Sequence, residues 1–268
     1  MDEPREPTAQ LSVHVDFDKL RAKLGNAVDR CVRLVSIGFR CSQQPTDEEV
    51  RMPGSGLLVS FSGAPAWSAG EARDHYTAWL FATGLRDVLE AFGTFLDECY
   101  DIASCTRLMR KHKEHGLLLG QDLLDHQADT LRYRRLGVEK KIQKLKKWFS
   151  MLPADVQASV LSINRARNII AHYEGIVPET YLDGHGLFRI TWRRLAMVAM
   201  GAQQREIQLR ERLNAGEGLG LLAVSESREF HQGDRVHLEP IEFSGVCWTV
   251  FAAGDAVREA LEKEWSQI

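Results

Sequence analysis

Long apolar runs, paired cysteines and a strong net charge are all missing from this chain of 268 residues. No stretch approaches the roughly 18 apolar residues that a membrane-spanning helix needs, so no membrane partner is expected. The amino-terminal stretch MDEPREPTAQ is acidic and lacks the apolar core of a signal peptide, which favours a cytoplasmic protein. The five cysteines are odd in number and form no CxxC pair, so neither a disulfide framework nor a zinc knuckle is predicted. A formal net charge of −3 gives no general attraction to nucleic acid, so such an attraction requires a local basic patch.

Motifs for phosphate-bearing cofactors and for metals are also incomplete. Gly54-Ser55-Gly56 is not followed by the Gly-Lys-Ser/Thr of a phosphate-binding loop, and the glycines at 216, 218 and 220 open no clear helix. The two histidines in the stretch MRKHKEH, residues 109–115, do not have the spacing of the helical zinc motifs. The sequence therefore predicts no cofactor and no bound metal.

Hydrophobic periodicity predicts a mainly α-helical protein. Apolar residues keep helical spacing from Asp16 to about Gly38, and again in the longest pattern, which begins at Glu71 and reaches Cys99. Such an apolar band is typical of a helix that faces the core of an antiparallel bundle. Helical spacing returns from Pro240 and continues to 265, which predicts a carboxyl-terminal helix packed on the core.

A small β element is expected between the helical regions. Leu187–Trp192 partly alternates, and Val224–Leu238 is typical of a hairpin that turns at Gln232-Gly233-Asp234. The predicted organisation is a flexible amino terminus, an amino-terminal helix, a loop or linker, a helical bundle core, and a β element with a carboxyl-terminal packing helix. These parts correspond to residues 1–15, 16–41, 42–70, 71–177 and 178–268, respectively.

The segment Ser162–Gly175, SINRARNIIAHYEG, carries the main functional signal of the chain. It ends a predicted helix that begins at Pro153-Ala154-Asp155. On a helical wheel, Arg167 lies in the middle of an apolar stripe formed by Val156, Val160, Ile163 and Ile170. A guanidinium there requires a partner, because removing it from water costs several kcal/mol. Asn168 and His172 are four residues apart and share a second face of the same helix.

Residues 167–172, RNIIAH, resemble the signature of HEPN domains, which is Arg, a polar residue, three variable residues and His. The resemblance covers about residues 71–177. It implies a small α-helical bundle, usually dimeric, of a family in which many members are metal-independent endoribonucleases of antiviral defence or toxin–antitoxin systems. By this resemblance Arg167, Asn168 and His172 are the expected catalytic residues. RNA, a second copy of the chain, and a cognate antitoxin or defence-system partner are the expected partners.

The residue types fit this chemistry. RNA is cleaved without a metal when its own 2′-hydroxyl attacks the adjacent phosphate, which requires proton transfer and positive charge at that phosphate. A histidine exchanges protons near neutral pH, and an arginine offers a bidentate fork to phosphate oxygens. Asn168 would orient the phosphate or hold the imidazole. One histidine does not readily perform both proton transfers, so a symmetric dimer would supply the second.

A local reversal of charge precedes the motif helix. Between residues 132 and 147 eight residues are Lys or Arg and only Glu139 is acidic. Lysines at helical spacing predict a basic ridge that faces solvent, and Tyr133 and Trp148 are candidates for stacking on bases. The predicted RNA-binding residues are Arg132, Arg134, Arg135, Lys140, Lys141, Lys144, Lys147 and Tyr173.

Besides a pure dimerisation scaffold, two other interpretations are compatible with the same residues. In one, Arg167 pairs with an acidic residue of the long helix and His172 caps the carbonyl groups at the end of its own helix, so both residues are structural. The polar candidates on the long helix are Asp74, His75, Asp87, Glu90 and Glu98. In the other, the chain is a catalytically inactive HEPN-like module that binds nucleic acid or a partner protein.

Overall fold

Six α-helices and a three-stranded antiparallel sheet make up the part of the chain that the structure, a computed structural model, describes. This part comprises residues 14–43, 68–115, 120–149, 151–201, 204–208 and 210–267. At 65% helix, the predicted mainly α fold with a small β element is confirmed. Most of the predicted loop 42–70, with Gly54-Ser55-Gly56, and residues 1–13 of the predicted flexible terminus lie outside the described residues.

The six described helices are α1 (Phe17–Ser42), α2 (Ala69–His115), α3 (Gly120–Arg134), α4 (Val138–Lys146), α5 (Ala154–His172) and α6 (Pro240–Trp265). Helices α1, α2, α5 and α6 follow the predicted periodic segments, the predicted basic helix is interrupted within residues 132–147, and most of α3 was not predicted. Within the described ranges, no helix is long and apolar enough to cross a membrane.

Local sequence explains where helices α1 and α6 begin. Asp16 accepts a hydrogen bond from the Lys19 amide at 2.8 Å and thereby caps α1. Glu239 and Glu242 form a capping box at the start of α6, with Pro240 in its first turn. These caps satisfy amide groups that a helix start otherwise leaves unpaired.

Helix α2 is the longest element of the fold. Its 47 residues extend about 70 Å, and α1, α3, α4, α5 and α6 all contact it. Helix α6 packs between α1, α2 and the sheet, and glycines permit the close approach. A Cβ atom built on Gly254 would lie 2.1 Å from Leu24 Cδ2, and one on Gly245 would lie 2.4 Å from Trp192 Cδ1. Buried residues of α1, of segment 71–177 and of segment 178–268 belong to one hydrophobic core. The division of the chain at those boundaries stays a prediction.

The sheet differs from the predicted hairpin. Strand β1 (Phe188–Met200) lies between β2 (Arg205–Glu206) and β3 (Gly218–Phe230), and it pairs with β3 from Phe188↔Phe230 to Met200↔Gly218. The prediction of a hairpin within Val224–Leu238 is therefore wrong, because β3 pairs back to β1 and ends before the expected turn. The turn at 231–234 instead leads to a bridge between Ile176 and Arg235, next to the end of α5.

Candidate nucleic-acid-binding site

Helix α5 holds the Arg–Asn–His motif against the sheet and α2. Its buried face is formed by Val156, Ser159, Val160, Ile163, Ala166 and Ile169. Arg167 lies one position beyond Ala166, so it is at the flank of this face and is half-buried. The prediction that Arg167 lies in the middle of the apolar stripe is wrong, because the small residues Ser159 and Ala166 occupy that position.

The Arg167 guanidinium has no acidic partner in the described ranges of the chain. Its Nη1 donates to Asn168 Oδ1 at 3.2 Å, and no carboxylate of those ranges lies within 4.0 Å of it. The expected ion pair with the long helix is therefore not formed. Glu98 instead accepts from Lys23 at 2.8 Å, and Asp87 lies 3.5 Å from Arg86.

Arg167 opens into a groove of about 610 Å³ between α2, the turn from α3 to α4, and α5. The groove carries three acidic and three basic side chains, namely Glu90, Asp97, Glu139, Lys140, Lys141 and Arg167. Asn164, Arg167 and Asn168 form its α5 wall at positions i, i+3 and i+4. Sequence reasoning missed Asn164, although its spacing from the motif places it on this face.

His172 lies outside the groove of its own chain. It is exposed in the last turn of α5, and its ring makes no side-chain hydrogen bond to any residue in the described ranges. It lies five positions after Arg167, which corresponds to about 140° around the helix and about 7.5 Å along it. The structural interpretation in which His172 caps its own helix is therefore not supported. Tyr173 is also exposed, with its ring edge-on to Tyr181 at 5.7 Å.

The helix end beside His172 is closed by the backbone. Glu174 and Gly175 both have positive φ, at 54° and 79°, and the Gly175 amide donates to Ile169 O at 3.2 Å. Positive φ is unusual for a residue with a side chain. This turn fixes where the chain leaves α5 and thereby leaves His172 open to solvent.

Some cations of the predicted basic ridge form ion pairs within the protein, and others are exposed without an ion pair to a described carboxylate. Lys141 is only 5% exposed and donates to Asp97 Oδ2 at 2.8 Å and to Gly93 O at 3.2 Å. The prediction that Lys141 faces solvent is therefore wrong. Lys144 donates to Asp129 at 2.6 Å, and Arg134 donates to Asp101 at 2.7 Å. Among the predicted RNA-binding cations, those that are exposed and have no ion pair with any described carboxylate are Arg132, Arg135, Lys140 and Lys147.

The two aromatic residues proposed for base stacking are already stacked within the protein. Tyr133 is fully buried against Tyr100, with ring centroids 3.7 Å apart, and Tyr100 stacks on Trp148 at 4.6 Å. The Arg107 guanidinium lies 4.9 Å from the Trp148 ring centroid. The prediction that Tyr133 is available for stacking is wrong, and Trp148 is engaged by both Tyr100 and Arg107.

A charged contact fixes this aromatic stack to α3. The Tyr100 hydroxyl donates to Asp129, whose other oxygen accepts from Lys144. Burial, together with the nearby carboxylate of Asp129, raises the pKa of Tyr100 well above its ordinary value. Burial by itself would raise the pKa of Asp129, but the bonds from Lys144 and Tyr100 outweigh it and hold that pKa below its ordinary value. Tyr100 therefore stays protonated and Asp129 charged at neutral pH.

In comparisons with known proteins, no family model, no curated protein and no solved structure matches the chain. The resemblance to HEPN domains therefore depends on residues 167–172 and their helical surroundings alone.

Proposed function

We propose that the protein is a metal-independent endoribonuclease of HEPN type that acts as a homodimer, in antiviral defence or in a toxin–antitoxin system with a cognate partner. The observation that carries this proposal is that Arg167 has no carboxylate partner in the described ranges of the chain. A guanidinium loses stabilisation as it is withdrawn from water unless a negative group compensates it, yet this one contacts Asn168 and faces an open groove. A phosphate group in the groove would supply the missing negative charge.

Each motif residue has a distinct role in this proposal. Asn168 accepts one Nη1 hydrogen bond of Arg167 and holds the guanidinium, which leaves the other donors for phosphate oxygens. His172 is exposed and exchanges a proton with the attacking 2′-hydroxyl or with the leaving 5′-oxygen. Asn168 is thus a positioning residue, whereas Arg167 and His172 are the catalytic residues.

The placement of His172 favours a site formed by two chains. Arg167 faces the groove of its own chain and His172 points away from it, so one chain alone does not surround a phosphate with both groups. A two-fold interface along the ends of two α5 helices would bring each His172 toward the Arg167 of the other copy. It would also supply the two histidines that proton transfer to and from RNA requires.

RNA outside the motif would be held through its phosphates by the free cations. Arg132, Arg135, Lys140 and Lys147 fit this role because they are exposed and have no ion pair with a described carboxylate. Lys141, Lys144 and Arg134 are removed from the set because their charges are already engaged. Such contacts give affinity that depends on salt and not on sequence.

The test is cleavage of single-stranded RNA by the purified protein in EDTA, with analysis of the product ends. We expect 2′,3′-cyclic phosphate ends, and a loss of rate of about 10²-fold or more in Arg167→Ala and in His172→Ala. The matched control is Arg165→Ala, which removes an exposed arginine of the same helix and should cleave at the wild-type rate. Full activity of both motif variants with unchanged product ends would refute the proposed mechanism.

Mixing of chains tests the shared site. An excess of His172→Ala chains, equilibrated with wild-type chains, should lower activity below the value that dilution alone predicts. A purely proportional decrease, or a monomer in sedimentation at the assay concentration, would contradict the composite site.

An inactive nucleic-acid-binding module is the second candidate. The equal number of acidic and basic side chains in the groove favours it, because a carboxylate such as Glu139, which has no ion pair with a described cation, opposes the phosphate that cleavage would place there. Arg132, Arg135 and Lys147 lie outside the groove lining and stay available for RNA. It predicts salt-dependent RNA binding without cleavage, in the wild type and in the His172→Ala variant alike.

A further inference from the structure

We infer that the pocket between the carboxyl-terminal ends of α2, α4 and α6 is an anion site that binds a phosphate group through Arg107, Arg110 and Lys147. The phosphate belongs either to an RNA backbone or to a small phosphate compound. Phosphate binding at this pocket does not depend on the proposed endoribonuclease, whereas its use by RNA extends that proposal.

The pocket is small and has a dominant positive charge. Its volume is about 260 Å³, somewhat below the roughly 300–1,000 Å³ usual for drug-sized ligands. Its lining carries three cations and one carboxylate, Glu264, so the balance of formal charge is +2. A phosphate group with part of its sugar fits both this size and this charge.

Arg107 is positioned by an aromatic ring and not by any described carboxylate. The centre of its guanidinium lies over the Trp148 ring at 4.9 Å from the centroid, and Trp148 is itself fixed by stacking on Tyr100 at 4.6 Å. Stacking occupies the face of the guanidinium and leaves its in-plane N–H donors available. No carboxylate among the described residues lies within 4.0 Å of it. Arg107 is therefore oriented in advance for an acceptor that the folded chain does not supply.

Of the other two cations, Arg110 forms an ion pair within the protein and Lys147 forms none with a described residue. Arg110 Nη2 donates to the backbone oxygen and to the side chain of Glu264, both at 3.0 Å, which fixes this arginine at the pocket wall. Lys147 is exposed and has no ion pair with any described residue. One anchored and two uncompensated cations around one cavity suit a phosphate, whose oxygens form strong charge-assisted hydrogen bonds with such groups.

The pocket and the groove of Arg167 open on nearby faces of α2. Gly93 of the groove and Arg107 of the pocket are 14 positions apart, which corresponds to about 21 Å along the helix and a rotation of only about 40°. Helix α4 leads from one to the other, with Lys140 at the groove and Lys147, which directly follows the helix, at the pocket. A single RNA strand of a few nucleotides could therefore occupy both sites.

The test is a binding titration of the full chain with two probes. One is a fluorescent single-stranded oligonucleotide with 2′-O-methyl sugars, which cannot be cleaved by 2′-hydroxyl attack, and the other is inorganic phosphate. The variants are Arg107→Gln, Lys147→Gln and the double variant. The control is Arg30→Gln, which removes an exposed cation of α1 that has no ion pair with a described residue. Melting temperatures establish that each variant is folded.

We expect each pocket variant to bind the oligonucleotide roughly tenfold more weakly and to lower the slope of log affinity against log salt by about 0.7 for each phosphate that the variant no longer neutralises. Weaker direct binding of inorganic phosphate by the double variant than by the wild type, with an unchanged affinity for the oligonucleotide, would assign the site to a small phosphate compound. Wild-type binding of both probes by the double variant would overturn the inference. A protein that binds at this pocket but cleaves no RNA would refute the proposed endoribonuclease and leave the anion site standing.

Discussion

The substitution Lys141→Ala is expected to destabilise the fold strongly, although Lys141 belongs to a run of lysines that suggests a solvated surface. The ammonium is almost fully buried and donates to Asp97 and to Gly93 O. Its removal leaves the Asp97 carboxylate, with 19% side-chain exposure, without its cation. Removal of one partner of a buried ion pair costs about 3–5 kcal/mol.

The lower end of that range applies because Asp97 keeps some access to water. We therefore expect a decrease of about 3 kcal/mol in the free energy of unfolding, and of roughly 6–12 °C in melting temperature. The measurement is urea unfolding followed by far-ultraviolet circular dichroism. The slope of the free energy of unfolding against urea concentration should be the same in the variant and in the wild type. The control is Lys140→Ala, the exposed neighbour, which should change stability by no more than about 0.5 kcal/mol.

A double-mutant cycle with Asp97→Ala assigns the effect to the pair. If the two residues stabilise each other, the double variant should lose much less than the sum of the single losses. Equal effects of Lys141→Ala and Lys140→Ala, or strict additivity with Asp97→Ala, would refute the reasoning. The same comparison separates the fold from RNA binding, because only Lys140 has a charge that is free to reach a phosphate.

Two other substitutions test the packing and the charges. Gly254→Ala should lower the free energy of unfolding by about 1–3 kcal/mol, because its Cβ would overlap Leu24, and a gain in stability by urea unfolding would contradict the close approach of α1 and α6. Asp129→Asn should lower the free energy of unfolding at neutral pH, because folding lowers the pKa of Asp129 and the charged carboxylate therefore stabilises the folded state. This stabilisation is complete at pH values above the ordinary pKa of about 3.9. This difference from the wild type should shrink as the pH falls through the lower folded pKa, and a difference independent of pH would exclude the carboxylate as its source.

Helices were predictable from the sequence where local periodicity determines them. The spacing of apolar residues located α1, α2, α5 and α6, because each buries a continuous stripe. The sheet was not predictable in the same way. Strand β3 pairs with β1 across an intervening β2 and two loops, and the partner of a strand is fixed by long-range register, which local turn residues such as Gly233 do not reveal.

The site shows the same limit at the level of single residues. The position of Arg167, Asn168 and His172 on one helix follows from their spacing. Whether a cation is free depends on residues far away in the chain: Lys141 is neutralised by a carboxylate 44 positions earlier, and Arg167 is not neutralised by any in the described ranges. A helical wheel records which face a residue is on and not what lies opposite that face.

The position of α6 between α1, α2 and the sheet has a consequence for the order of folding. The first and last described helices are separated by roughly 200 residues, and such contacts of high sequence separation form slowly because a long loop must close first. During synthesis, the motif helix α5 leaves the ribosome more than 60 residues before α6, the helix that completes its core. A nascent chain would expose the apolar faces of α1 and α2 until α6 has been synthesised, and in that interval a chaperone or a neighbouring nascent chain could bind them.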